Sequence, residues 1–238
     1  MADTLYFSRD TKVFIEIGNN VWEIPVLDGF SFSQATNTSE ITLNEMADGS
    51  GNSRRGRRMF NDSYAPAEWS FSTYMRPFAS AGSDTAGNAS RNGTADIHAV
   101  EEALWALMVG DASHTATSSS QAANFTGFTY DATDLDITFA NSNKTTLGTA
   151  NFYFQLGGAT SGNKSTYKIE GCVVNEASMD FDIDGIATIN WSGFGKIISE
   201  ANAPGTITYS EKIDATTNFI RNRLTHLQIT TSDGTAGS

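Results

Sequence analysis

Three aspartates at two-residue spacing are the first candidates for chemistry. Asp180, Asp182 and Asp184, followed by Gly185, place oxygen ligands at positions 1, 3 and 5 of a calcium loop and glycine at position 6. Position 12 should be a bidentate glutamate, and it is Trp191. Phe181 and Ile183 alternate with the aspartates, so the stretch reads as a strand carrying three carboxylates on one face, about 7 Å apart. Such a row repels itself and suits water, cations or a basic partner. Gly157 to Ser165 has the glycine separation of a phosphate-binding loop, but Asn163 stands where lysine must follow Gly162. A phosphate loop must also open a helix, whose free amides hold the anion. Thr166-Tyr167-Lys168-Ile169 reads as a strand, so a hairpin turn is expected instead.

Nothing assembles into a catalytic or cofactor site. There is no Gly-x-Ser-x-Gly elbow and no His-Glu-x-x-His. His98, His114 and His226 are scattered, and His98 is expected on the exposed face of a helix. Cys172 lies among strand residues and reads as a small buried hydrophobe. Glu101-Glu102 and Asp134 with Asp136 are paired only in sequence and are expected at the surface. No catalytic residue, metal ligand or cofactor is expected.

The strongest local signal is basic. Ser53-Arg54-Arg55-Gly56-Arg57-Arg58, leading into Met59-Phe60, concentrates four arginines in a chain of net charge −12. A basic run on an acidic protein complements other copies of that protein, and a head-to-tail contact of this kind makes rings or filaments. The acidic balance argues against a general nucleic-acid binder, which needs cations to neutralise phosphates. One cysteine excludes an internal disulfide framework and a cysteine zinc finger. No run of 18 apolar residues is present, and the first 30 residues read as strands rather than a secretory signal.

The elements that must position these residues are mostly strands. The 238 residues fit one large domain, expected over 1–231 with a flexible tail at 232–238. Val13, Ile15 and Ile17 alternate with polar neighbours, and Val21 to Leu27 continues until Pro25 limits pairing. Phe30 and Phe32, then Ile41 and Leu43, follow the same rule. So do Trp69, Phe71, Thr73 and Met75. Between them lies a polar stretch, 46–66, expected as a long loop. A helix is expected at about 96–109, capped by Asp96, with Ile97, Val100, Leu104 and Met108 on one face and Gly110 closing it. Short strands are expected at 125–130, 135–140, 150–156, 166–174, 177–184, 186–194, 206–209 and 224–230. The fold class is mainly β, a barrel or sandwich with one flanking helix.

Several of these stretches resemble tail tube proteins of tailed bacteriophages. They are Ile24 to Gln34, Ser39 to Leu43, Ser53 to Phe60 leading to Ala67–Thr73, and Phe181 to Gly193. The resemblance implies a structural virion protein: hexameric rings, closed by sheet pairing, stack into a hollow tail tube that conducts DNA during ejection. It implies a tail-tube-type β domain whose long early loop, here 46–66, reaches the neighbouring ring. Ser53, Arg54, Arg55, Arg57, Arg58, Met59 and Phe60 would then serve ring stacking, and Asp180, Asp182 and Asp184 would line an acidic channel. The implied partners are further copies of the chain, tail-tip, tail-terminator and tape-measure proteins, and a sheath where the tail is contractile. Viral DNA would pass without specific binding, with no membrane insertion. The implied location is the virion tail, assembled in the host bacterial cytoplasm. The alternatives are a carbohydrate-binding β-sandwich adhesin using Trp22, Trp69 and Trp191 as a sugar platform, or another virion ring or decoration protein.

Overall fold

The computed structural model describes residues 6–47, 50, 53–75, 79–80, 97–98, 101–109, 128–130, 135–137, 148–158, 164–180, 185–207, 209–210, 229–230 and 236–237. In chain order the strands are β1 Tyr6–Ile17, β2 Asn20–Ile24, β3 Ser31–Ser33, β4 Thr36–Ala47, β5 Ser53–Tyr64, β6 Ala67–Tyr74, β7 Ala79–Ser80 and β8 Ile97–His98. Helix α1 spans Glu102–Val109. Then come β9 Phe128–Tyr130, β10 Leu135–Ile137, β11 Ala150–Gly158, β12 Ser165–Asp180, β13 Thr188–Gly195, β14 Ile198–Ala201, β15 Tyr209–Ser210, β16 Ile229–Thr230 and β17 Ala236–Gly237.

One path of pairing, β15-β2-β1-β11-β12-β13-β6-β3, builds the body, with β14 also on β12. Apart from the short parallel contact of β15 with β2, the pairs are antiparallel. The mainly β expectation therefore holds. Strand β12 joins two sheets. Its first half pairs with β11 and β14, and its second half pairs with β13. At the joint Gly171 takes a positive φ of 59°, which an L side chain rarely adopts. A register shift follows between Val174 and Glu176. This bulge lets a strand turn from one sheet into the next. It also explains why 166–174 and 177–184 read as two strands: the extra residue breaks the alternation of one continuous strand.

The two sheets close on an aromatic core. Alternation sends Val13, Ile15, Ile17, Trp22, Ile24, Phe152 and Phe154 inward from the first sheet. Trp69, Phe71, Ile189 and Trp191 come from the second. Trp69 meets Phe152 across the gap at 4.5 Å between ring centroids, and Phe32 meets Phe154 at 4.9 Å. Trp69 packs so closely on β13 that a Cβ at Gly193 would lie 2.5 Å from its ring and 2.0 Å from the Val173 carbonyl oxygen. The buried Trp191 indole is paired, as burial favours: its Nε1 donates to Thr73 Oγ1 at 3.1 Å.

Helix α1 is shorter than expected. It buries Ala103, Leu104, Ala106, Leu107 and Val109, and Trp105 meets Trp191 edge-on at 5.0 Å. Ile97 and His98 are not helical but bridge Ala79 and Ser80. Their helical spacing was coincidental, because a two-residue bridge imposes no periodicity. Glu101, expected at the surface, is buried at the helix start, where its carbonyl accepts from Leu104 and Trp105. Asp96, Val100 and Gly110 lie outside the described residues. In the expected tail, Ala236–Gly237 pairs with Ile229–Thr230, a contact that polar composition did not foretell.

Candidate functional site: the β4–β5 hairpin and the acidic sheet face

Residues 46–66 were expected as a loop, and the excursion between β3 and β6 is there. Its conformation differs: β5 pairs with β4 along almost its whole length, so the basic run is a strand. Arg58 lies opposite Ile41, Arg57 opposite Thr42 and Arg54 opposite Met46. Strand pairing needs only backbone groups. A run without apolar alternation therefore gives no sign of it.

Where its side chains are described, the hairpin is largely uncovered. Met59, Phe60 and Tyr64 are 65%, 45% and 59% exposed. Of the side chains described at 36–40 and 59–64, all but the partly covered Ser39 are exposed. Successive strand residues point to opposite faces. Met59 and Phe60 thus put apolar surface on both sides of the ribbon. Cross-strand polar pairs support it, Asn37 Nδ2 donating to Ser63 Oγ at 3.0 Å and Ser39 Oγ to Asp62.

At its root the hairpin is held firmly. Ala65 N donates to Ala35 O at 2.9 Å. The Gln34 amide reaches further: its Nε2 donates to Ala65 O at 2.8 Å and to Lys196 O at 3.0 Å, and its Oε1 accepts from Ile198 N at 3.0 Å. Nothing in the sequence marked Gln34, because its partners lie 31, 162 and 164 positions away.

The second sheet ends beside this root. Its outer face carries Ser31, Ser33, Glu68, Ser70, Ser72, Asn190, Ser192, Glu176, Ser178 and Asp180, placed by alternation and register. Among the described residues of this face the charged ones are Glu68, Glu176 and Asp180, all exposed and all acidic. Hydroxyl and amide bonds tie the face together, Ser31 Oγ to Ser70 Oγ at 2.8 Å and Ser72 Oγ to Asn190 Oδ1 at 2.6 Å. Asp180 ends β12, accepting from Asn190 Nδ2 at 3.4 Å. Asp182 and Asp184 lie outside the described residues. A cleft of about 310 Å³ opens at the hairpin end of this face, lined by Ser31, Ser33, Glu68, Ser192 and Phe194.

The outer face of the first sheet differs. Among its described side chains are two ion pairs: Lys12 Nζ lies 2.7 Å from Glu23 Oε1, and Lys168 Nζ lies 3.1 Å from Glu170 Oε1. Glu16 accepts from the Tyr153 hydroxyl at 2.8 Å and from Asn151 Nδ2 at 3.0 Å. Burial, then the bond to Glu16 and its charge, push the Tyr153 hydroxyl above its ordinary range.

Other candidates from the sequence fall into place. Trp22, Trp69 and Trp191 are core residues, so the platform that a sugar would stack on is not formed by them. Trp191 also cannot complete a calcium loop from the core. Gly157 to Ser165 links antiparallel neighbours β11 and β12, and β12 begins at Ser165 where a phosphate loop would need a helix. Cys172 is fully buried. His114 and His226 lie outside the described residues. Among the described residues no helix is long and apolar enough to cross a membrane.

No family model matches the chain. The chain is 29% identical over 245 aligned residues to Tail tube protein pb6 of Escherichia phage T5, covering 97% of this chain and 47% of that protein. It spans about half the length of the curated relative it matches. Solved structures superpose more loosely. The anti-feeding prophage baseplate aligns with a TM-score of 0.46 and 10% identity over 84% of this chain and 97% of that one. The sheath/tube terminator of an extracellular contractile injection system aligns at 0.41 and 11% over 85% and 100%. The resemblance first met in separate stretches thus extends along nearly the whole chain, which is similar to a phage tail tube protein.

Proposed function

We propose that this chain is a structural protein of the virion tail that assembles as hexameric rings stacked into a hollow tube for DNA ejection. The observation that carries the reading is similarity to a tail tube protein along almost the entire chain. The geometry supports it. A two-stranded ribbon without a covering layer is marginal in water. The described part of the β4–β5 hairpin is such a ribbon, with apolar side chains exposed on both faces at Met59 and Phe60. At about 3.4 Å per residue, its 12-residue strands reach roughly 40 Å. A second copy is the surface it fits. Ser53, Arg54, Arg55, Arg57 and Arg58 supply charge complementary to an acidic chain, and Met59 and Phe60 supply apolar contact. The outer face of the second sheet, with Asp180 at one end, is the wall proposed for the channel, and Asp182 and Asp184, which follow Asp180 in sequence, are proposed to line it as well. The reading assigns the chain no chemistry. Its partners would be its own copies, tail-tip, terminator and tape-measure proteins, with DNA passing unbound.

Negative-stain electron microscopy with light scattering on concentrated protein tests this. Hollow filaments of stacked rings are expected. Closed rings that never stack would favour a terminator or decoration protein. Monomers that stay monomeric with added tail-tip complex, and bind glycan saturably, would overturn the reading in favour of an adhesin.

A further inference from the structure

We infer that Gln34 is the pivot that fixes the direction of the β4–β5 hairpin, and through it a positioning residue for contact with a second copy of the chain; the second half rests on the tube reading above. Of the hairpin side chains described, at 36–40, 50 and 59–64, all but the partly covered Ser39 are exposed, so this part of the hairpin takes its direction from the root rather than from packing on the body. The root is narrow: Ala35, Ala65 and Pro66. Proline fixes its own φ and holds the preceding residue extended, which stiffens one side.

Gln34 supplies the remaining constraint. A single amide bonds to two separate parts of the fold. Its NH₂ group faces two carbonyls, Ala65 O at 2.8 Å and Lys196 O at 3.0 Å, and its oxygen faces one amide, Ile198 N at 3.0 Å. Both donors are used, and the oxygen meets a donor, so only one orientation of the amide satisfies the three partners. Ala65 belongs to the hairpin root. Lys196 and Ile198 belong to the bend between β13 and β14. That bend is anchored to the β12 joint, Lys196 N donating to Glu170 O at 2.7 Å and Glu170 N to Ile197 O at 3.1 Å. The hairpin is thereby referenced to the corner where the two sheets meet. A ribbon tens of ångströms long magnifies any angular freedom at its root into a large displacement of its tip.

Gln34→Glu tests the pivot with little change of volume, because a carboxylate oxygen then faces two carbonyl oxygens. Gln34→Ala removes the amide altogether. Both are made in the full chain with Cys172→Ala, and spin labels are placed at Ser50→Cys, near the hairpin tip, and Ser199→Cys, on the body. The parent should show a narrow distance distribution in dilute monomer. Both variants should at least double its width while the thermal midpoint stays within a few degrees. Filament growth followed by light scattering should slow at least tenfold. Unchanged width in both variants would overturn the pivot. Doubled width with unchanged growth would overturn the positioning role. A parent that never forms filaments would refute the tube reading and the positioning role with it, and the width alone would still decide the pivot.

Discussion

Cys172 sits at the joint of the two sheets, one residue after Gly171, with no exposed surface and its Sγ 3.4 Å from the Ile169 carbonyl. Burial pushes its thiol up to about 12 from an ordinary value near 9, against a smaller opposing effect of a backbone hydrogen bond from Phe152. Below about pH 9 the thiol is neutral in both folded and unfolded chains, and its contribution is constant. Between about 9 and 12 the unfolded chain loses the proton and the folded chain keeps it. Stability therefore falls as pH rises, by about 1.4 kcal/mol per unit from this group. Cys172→Ala should be slightly less stable than the parent at pH 8. The gap should close and then reverse above about pH 10. Urea unfolding of both proteins at pH 8, 9 and 10.5 checks this, and parallel pH dependence would show that the buried thiol does not resist ionisation. This residue was legible in the sequence because its alternating apolar neighbours announced a core strand. Gln34 was not, because its role lies in backbone partners brought near only by the completed fold.

At the scale of elements, the hairpin separates assembly from folding. Its exposed side chains contribute little to the isolated chain, since substitutions at exposed positions usually change stability by about 0.5 kcal/mol or less. Replacing Arg54, Arg55, Arg57 and Arg58 by serine keeps the backbone pairing of β4 with β5, so the monomer's urea midpoint should be nearly unchanged. Filaments should become shorter and dissolve at lower salt. Phe60→Ser should also shorten them, but without altering salt sensitivity, because the contact it removes is apolar. Filament length in micrographs across a salt series tests both. Equal length and salt resistance in the arginine variant would remove those residues from ring stacking. The sequence showed the charge of this element but not its conformation. Trp69, Phe71 and Thr73 declared a strand because one face is buried. The arginine run is a strand paired with β4, and its sequence carries no apolar alternation to announce it. The helix was misread at its start for the converse reason: Ile97 obeys helical spacing yet lies in a two-residue bridge.

Across the whole molecule, the net charge of −12 is distributed unevenly. The first sheet's outer face pairs Lys12 with Glu23 and Lys168 with Glu170. On the second sheet's outer face the described charges are the acidic Glu68, Glu176 and Asp180. A channel that must let a polyanion slide needs a wall that neither binds nor condenses on phosphate, and the second face has that character. Each cation placed on such a wall would release counterions from DNA and hold it, increasingly so at low salt. The double variant Glu176→Lys with Asp180→Lys should keep filament morphology. Filaments assembled with short duplex DNA should then retain DNA that nuclease cannot reach, more of it at 50 mM than at 200 mM salt, whereas the parent retains almost none. Glu170→Lys, a reversal on the other face, should capture DNA only where nuclease digests it. Protection by Glu170→Lys and not by the double variant would place the first sheet, rather than the second, against the channel. The comparison locates the lumen by chemistry alone, because nuclease distinguishes inside from outside while both variants gain positive charge.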